Sequence, residues 1–101
     1  MIDKEKSTLL NPQVAYRRSE TLKALGHPIR LSIVELLNQQ EHNVGDLARE
    51  LTLDSAIVSQ QLKILRMSGL VQSERREGHS FYRLAIPQLS RLLECLRSCD
   101  H

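Results

Sequence analysis

No run of apolar residues in this 101-residue chain approaches the length needed to cross a membrane, and Met1 to Leu10 is charged and lacks the apolar core of a signal peptide. The expectation is a cytoplasmic protein without a membrane partner, whose two cysteines, Cys95 and Cys99, are reduced by default. There is no G-x-S-x-G, no phosphate-binding loop and no pair of acids set for a polar pocket, and so short a chain has little room for a cleft, which argues against an enzyme. Charge of one sign is lacking too: 14 Lys plus Arg against 12 Asp plus Glu leave +2, too slight to announce a nucleic-acid binder by bulk charge. Distribution matters more, since Lys63, Arg66, Arg75, Arg76 and Arg83 gather in the middle third while acids are scattered. The length implies one domain with a modest core, for which self-association would bury further surface.

The most informative stretch is Leu51 to Leu70, LTLDSAIVSQQLKILRMSGL. Asp54 can cap a helix, and Val58, Leu62 and Leu65 recur at the spacing of one buried helical face. The other side carries Ser55, Ala56, Ile57, Ser59, Gln60 and Lys63, with no exposed aromatic and no run of acids. Small residues let a helix backbone sink into the major groove, Gln can bond adenine twice, and Ser can donate or accept. This surface reads as a recognition helix, although an amphipathic helix with a polar outer face is also what a merely solvated helix looks like.

Its neighbours support the first reading. Residues 1–12 are polar and end at an Asn-Pro step, which predicts a flexible N-terminal arm; residues 13–99 form a single DNA-binding and dimerisation domain. Gln13 to Leu25 is a first helix with a thin apolar face of Val14, Leu22 and Leu25, stopped by Gly26. His27-Pro28 opens a second, with Ile29, Ile33, Leu36 and Leu37 for the core and His27 as a capping or packing residue. After a polar break from Asn38 to His42, Asn43 caps a short third helix, Val44 to Leu51, followed by the turn Thr52-Leu53-Asp54. A short helix, a tight turn and a helix with a reading face make a helix-turn-helix.

Leu70 to Arg76 and Ser80 to Leu84 read as a hairpin with one wet side about a Glu77-Gly78-His79 turn. This is a wing, with Arg75, Arg76, His79 and Ser80 at or beside its tip, within reach of phosphates or the minor groove. Pro87 starts a last helix running to Cys99, whose Leu89, Leu92, Leu93 and Leu96 exceed what a small core can use. The expected fold is mainly α with a small β-hairpin, ααααββα, a winged helix-turn-helix paired into a homodimer through its first and last helices. Two reading heads would then lie about 34 Å apart on double-stranded DNA.

The segments LKALGHPIRLSIVELL and VGDLARELTLDSAIVSQQLKILRMSGLVQSERREGHSFYRLA resemble the ArsR/SmtB winged helix-turn-helix transcriptional repressors over nearly all of Leu22 to Ala85. The likeness is strongest in HP-x-R-L (His27 to Leu31), S-Q-x-L-K-x-L (Ser59 to Leu65), Gly69 to Val71 and the Arg76, Gly78, Tyr82 pattern. The resemblance implies a homodimeric repressor of an inverted-repeat operator, released by an inducer such as a metal ion, arsenite or a thiol-modifying oxidant. The chain departs from the family's sensing sites. Asn43 and Gly45 stand at the thiol positions of the ELCVCDL box, Ile86 and Gln88 where zinc sensors carry Asp and His, and Gln61 where the recognition helix usually has His. No metal site or cofactor is therefore expected, His42 and His101 notwithstanding.

Cys95 and Cys99 remain, four apart on the expected last helix and sharing a face. One reading is a thiol switch that takes a soft ligand such as arsenite, or is oxidised or persulfidated, and reshapes the interface. The other is that two small hydrophobes fill a packing surface. For the whole chain, the rival from another class is a winged helix that serves only protein–protein contact.

Overall fold

The computed structural model describes residues 10–99. The elements run α1 (Pro12–Leu25), α2 (Pro28–Gln39), β1 (His42–Asn43), α3 (Val44–Leu51), α4 (Ser55–Met67), β2 (Val71–Arg76), β3 (His79–Leu84) and α5 (Leu89–Arg97). The expected helices and hairpin are all present, and so is a two-residue strand, β1, too short to carry any periodic signal. It pairs antiparallel with β3, so the wing belongs to a three-stranded sheet in the order β1-β3-β2.

The Asn-Pro step opens α1 rather than closing an arm. Asn11 Oδ1 accepts the Val14 N–H at 2.9 Å and Pro12, having no N–H to leave unpaired, takes the first turn. Residues 11 and 12 thus belong to the domain, and residues 1–9 of the expected arm lie outside the described residues. Of the expected apolar positions of α1, Leu25 is buried and Val14 half-buried, but Leu22 is 58% exposed; Ala24 is the other buried residue. In α2, His27 caps as expected, its Nδ1 accepting the Ile29 N–H at 3.2 Å. Ile33, Val34 and Leu37 are buried there, while Ile29 and Leu36 are only partly so.

The helix-turn-helix is set by three local features. Asn43 Oδ1 accepts the Asp46 N–H at 2.8 Å to start α3. At the other end Thr52 adopts φ 54, so that the Leu53 N–H reaches Ala48 O at 3.0 Å and the Thr52 N–H reaches Arg49 O at 3.3 Å, closing the helix in a left-handed turn normally given to glycine. Asp54 then accepts the Ala56 N–H at 3.1 Å and α4 begins. Val58, Leu62 and Leu65 of α4 are fully buried, together with Ile33, Val34 and Leu47, which fixes the rotation of α4 about its axis.

α4 ends at Met67, and beyond its cap Ser68 the chain turns into β2 at Gly69, φ 75, with the Leu70 N–H on Leu65 O at 3.0 Å and the Gly69 N–H on Arg66 O at 3.0 Å. The hairpin turn is tighter than expected. His79 pairs with Arg76 inside the ladder, leaving Glu77 (φ 52) and Gly78 (φ 82) as a two-residue loop with both φ values positive, the type I′ geometry that matches strand twist. The expected single wet side also needs correction. Only Val71 of β2 is buried, so the strand is solvated on both faces beyond its root, because the arm of the hairpin reaches past the core.

α5 starts at Leu89, not Pro87. Pro87 and Gln88 form the preceding turn, in which the Leu89 N–H bonds Ile86 O at 3.0 Å and the Ser90 N–H bonds Pro87 O at 3.2 Å. The helix stops at Arg97, where Ser98 Oγ donates to the Glu94 and Cys95 carbonyls at 3.0 and 3.1 Å, a local bond that competes with helix continuation. Leu89 and Leu93 are buried, Leu92 is partly buried and Leu96 is 45% exposed.

Candidate nucleic-acid interface

The buried face of α4 dictates what the opposite face shows. Ala56, Ser59, Gln60 and Lys63 are exposed there, as is Ile57 at 40%, while Ser55 lies on the Val58 side and is exposed because it begins the helix. Asp54 sits at the helix start as a cap, so the solvent-facing half of the first two turns is small or polar apart from Ile57, without an acid of its own. Lys63, one turn further on, and Arg66 have no ion pair among the described residues.

The wing and the start of α3 enclose one side of this face. Asn43 and Arg49 from the α3 side, Ser59 from α4, and Gly78, His79 and Ser80 from the hairpin line one open groove of about 470 Å³. The fold thus brings together Ser59, His79 and Ser80, which lie on separate elements in sequence. Arg49 joins them. It pairs with Asp46 on its own helix yet keeps 75% of its side chain exposed. Sequence reasoning missed it because α3 was read only for its apolar period; the signal available was a cation on the outer side of the first helix of a helix-turn-helix, which crosses the nucleic-acid backbone.

The two arginines of the wing part company. The register places Arg75 opposite Ser80 on one side of the sheet and Arg76 opposite His79 on the other. Arg75 is exposed with no ion pair among the described residues. Arg76 is engaged: its Nη2 donates to Glu41 Oε1 at 2.6 Å, its Nε lies 3.8 Å from Glu74 Oε1, and its guanidinium stacks over the Phe81 ring at 4.4 Å. The hydrogen bond from Arg76, reinforced by the charges of Arg76 and Arg83 against some desolvation, holds the Glu41 carboxyl below the usual carboxylate range, and the same bond raises Arg76.

Cys95 and Cys99 are both exposed, so neither fills a packing surface within this chain. Nor do they share one helix, since Cys99 lies beyond Ser98, the C-cap of α5, with its N–H on Leu96 O at 3.2 Å. His42 is buried, its Nδ1 2.8 Å from Gln40 O. Among the described residues no three His, Cys, Asp or Glu side chains gather as a metal site would require; His101 lies outside them.

A helix-turn-helix whose second helix shows a small polar face, flanked by a hairpin that shares its groove, defines the winged helix-turn-helix class. Comparison with known proteins narrows the class. The model of the bacterial regulatory protein arsR family matches residues 27–73. A biofilm growth-associated repressor of Agrobacterium fabrum is 43% identical over 75 residues, which are 74% of this chain and 64% of that protein, so the chain spans just under two thirds of that relative's length. The crystal structure of the transcriptional repressor BigR from Xylella fastidiosa superposes with a TM-score of 0.79 at 34% identity, covering 88% of this chain and 93% of that one. A homodimeric winged helix-turn-helix DNA-binding domain from Mycobacterium bovis superposes with a TM-score of 0.76 at 27% identity, covering 90% and 86%. The chain belongs to the ArsR family of winged helix-turn-helix transcriptional regulators.

Proposed function

We propose that the protein is a homodimeric repressor that grips an inverted-repeat operator and lets go when a chemical signal reaches its last helix. The observation that carries the reading is that Ser59 of α4 lines one groove with His79 and Ser80 of the wing, while Val58, Leu62 and Leu65 of the same helix are sealed in the core. Ser59 and Gln60 read base edges, with Ser55, Ala56 and Ile57 allowing close approach. Lys63, Arg75, His79 and Ser80 meet the backbone, and Arg76 stands beside them in an ion pair of its own.

Dimerisation is supported by apolar surface that the single chain leaves uncovered. Tyr16 and Leu22 on α1 are 67% and 58% exposed, and Leu96 on α5 is 45% exposed. Between the two helices Arg18, Thr21, Ile86 and Leu92 line a groove of about 600 Å³. The names of the Agrobacterium and Xylella proteins support repression.

The exposed thiols of Cys95 and Cys99 support a thiol-borne signal: a cysteine thiolate attacks peroxide to give a sulfenic acid and water, or a polysulfide to give a persulfide and a shorter polysulfide, or displaces water from arsenite, and the change disturbs α5, hence the spacing of the two reading heads. The cytoplasm, where thiols stay reduced until challenged, suits such a device.

Fluorescence anisotropy with the DNA upstream of its own gene tests the reading. Ser59→Ala or Gln60→Ala costs about 1 to 3 kcal/mol at particular base pairs and relaxes the preference there. Arg75→Ala weakens binding to every sequence alike. Absence of salt-sensitive binding to duplex makes the chain a protein-interaction module, and affinity unmoved by all three variants puts the DNA contacts elsewhere. For the signal, a Cys95→Ser, Cys99→Ser variant that still releases DNA under thiol reagents contradicts the switch.

A further inference from the structure

Arg76 stands next to the wing tip, opposite His79, yet its side chain runs back along the sheet. Phe81, over which the guanidinium lies, is two residues further from the tip than His79 on the same strand face. Glu41, which receives the hydrogen bond at 2.6 Å, directly precedes β1, whose His42 and Asn43 pair with Tyr82 and Phe81 midway along the wing. Arg83 completes the cluster, 3.7 Å from Glu41 and 3.2 Å from Glu74. Two guanidiniums and two carboxylates leave this side of the wing without net charge. On the other side Arg75 has no ion pair among the described residues.

We infer that Glu41 is a positioning residue that withholds Arg76 from DNA phosphates, so that the electrostatic grip of the wing rests on Arg75. This depends on the reading above, in which the wing meets the DNA backbone. All four charged side chains are about half exposed, so no pair in the cluster is strong, and the outcome is a competition between a carboxylate already seated and a phosphate that arrives with the DNA. Phosphate contacts contribute to every sequence alike, whereas base contacts by α4 do not. Holding Arg76 back therefore lowers binding to arbitrary DNA and leaves discrimination to Ser59 and Gln60.

The test is a salt titration of the dimer on its operator and on a random duplex, for the parent, Glu41→Gln, Arg76→Ala, Arg75→Ala and the Glu41→Gln, Arg76→Ala pair. Glu41→Gln should bind random DNA several-fold tighter and steepen the log K against log salt slope by roughly one per subunit, the figure for one added phosphate contact. Arg76→Ala should erase that gain in the Glu41→Gln background, a reversal that loss of a structural contact does not produce. In the parent background Arg76→Ala should cost less than Arg75→Ala. A Glu41→Gln slope unchanged or shallower, with Glu41→Ala agreeing, overturns the inference while the DNA-binding reading stands. So does an Arg76→Ala loss equal to that of Arg75→Ala. Failure of the parent to bind any duplex overturns both.

Discussion

Thr52 pays for the sharpness of the turn between the two helices of the reading head. A β-branched residue at φ 54 is strained where glycine is at ease, by about 1 kcal/mol or more. Thr52→Gly should therefore raise stability by up to about 1 kcal/mol in urea denaturation, glycine's extra chain entropy offsetting part of the relief; a loss of stability would show that the hydroxyl or methyl makes a contact worth more than the strain. Glu41 gives a second expectation at this scale. Its carboxyl titrates below the ordinary 4.5, so its tie to Arg76 is complete above that value and lost only as pH falls through the lowered one. DNA affinity should not report Glu41 protonation across the neutral range, and a titration in that range abolished by Glu41→Gln would contradict the assignment. The pairing of Arg76 with Glu41, residues 35 apart in sequence, could not be read from the chain, because charge clustering shows where cations gather and not which are already neutralised.

Among the elements, α4 was the most legible. Val58, Leu62 and Leu65, picked out by spacing, are fully buried, and their burial decides that Ser59, Gln60 and Lys63 face solvent, whereas Ser55 is exposed because it is the first residue of the helix. Leu62→Ala should cost roughly 2 to 5 kcal/mol by thermal or urea unfolding, while Gln60→Ala on the opposite face should stay within about 0.5 kcal/mol. Comparable losses would mean that the helix is rotated from the orientation described. The ends of elements were less legible. Asn11-Pro12 is compatible with stopping a helix or starting one, and only the bond from the Val14 N–H distinguishes them. Pro87 is likewise placed outside α5, because the chain turns once more before Leu89. β1 depends wholly on its partner β3 and leaves no trace in a two-residue window. The separation of Cys99 from α5 shows in its N–H, which bonds Leu96 O at 3.2 Å while the Ser98 hydroxyl takes the Cys95 carbonyl that a continuing helix would have offered it.

For the whole molecule, Tyr16 and Leu22 on α1 and Leu96 on α5 are apolar and exposed, the surface that the proposed dimer would cover. Leu22→Glu changes a residue that is 58% exposed in the single chain, so the fold should survive by circular dichroism while sedimentation shows monomers and DNA affinity falls steeply. Unaltered dimerisation would place the interface elsewhere. The central claim is that two copies present their α4 faces to one double helix. Hydroxyl-radical footprinting of the reduced protein on its upstream DNA tests it most directly. The account predicts two protected patches related by a dyad, centred about one helical turn, roughly 34 Å, apart, and both lost together when α4 carries Ser59→Ala with Gln60→Ala. A single patch, or none at low ionic strength, would contradict it.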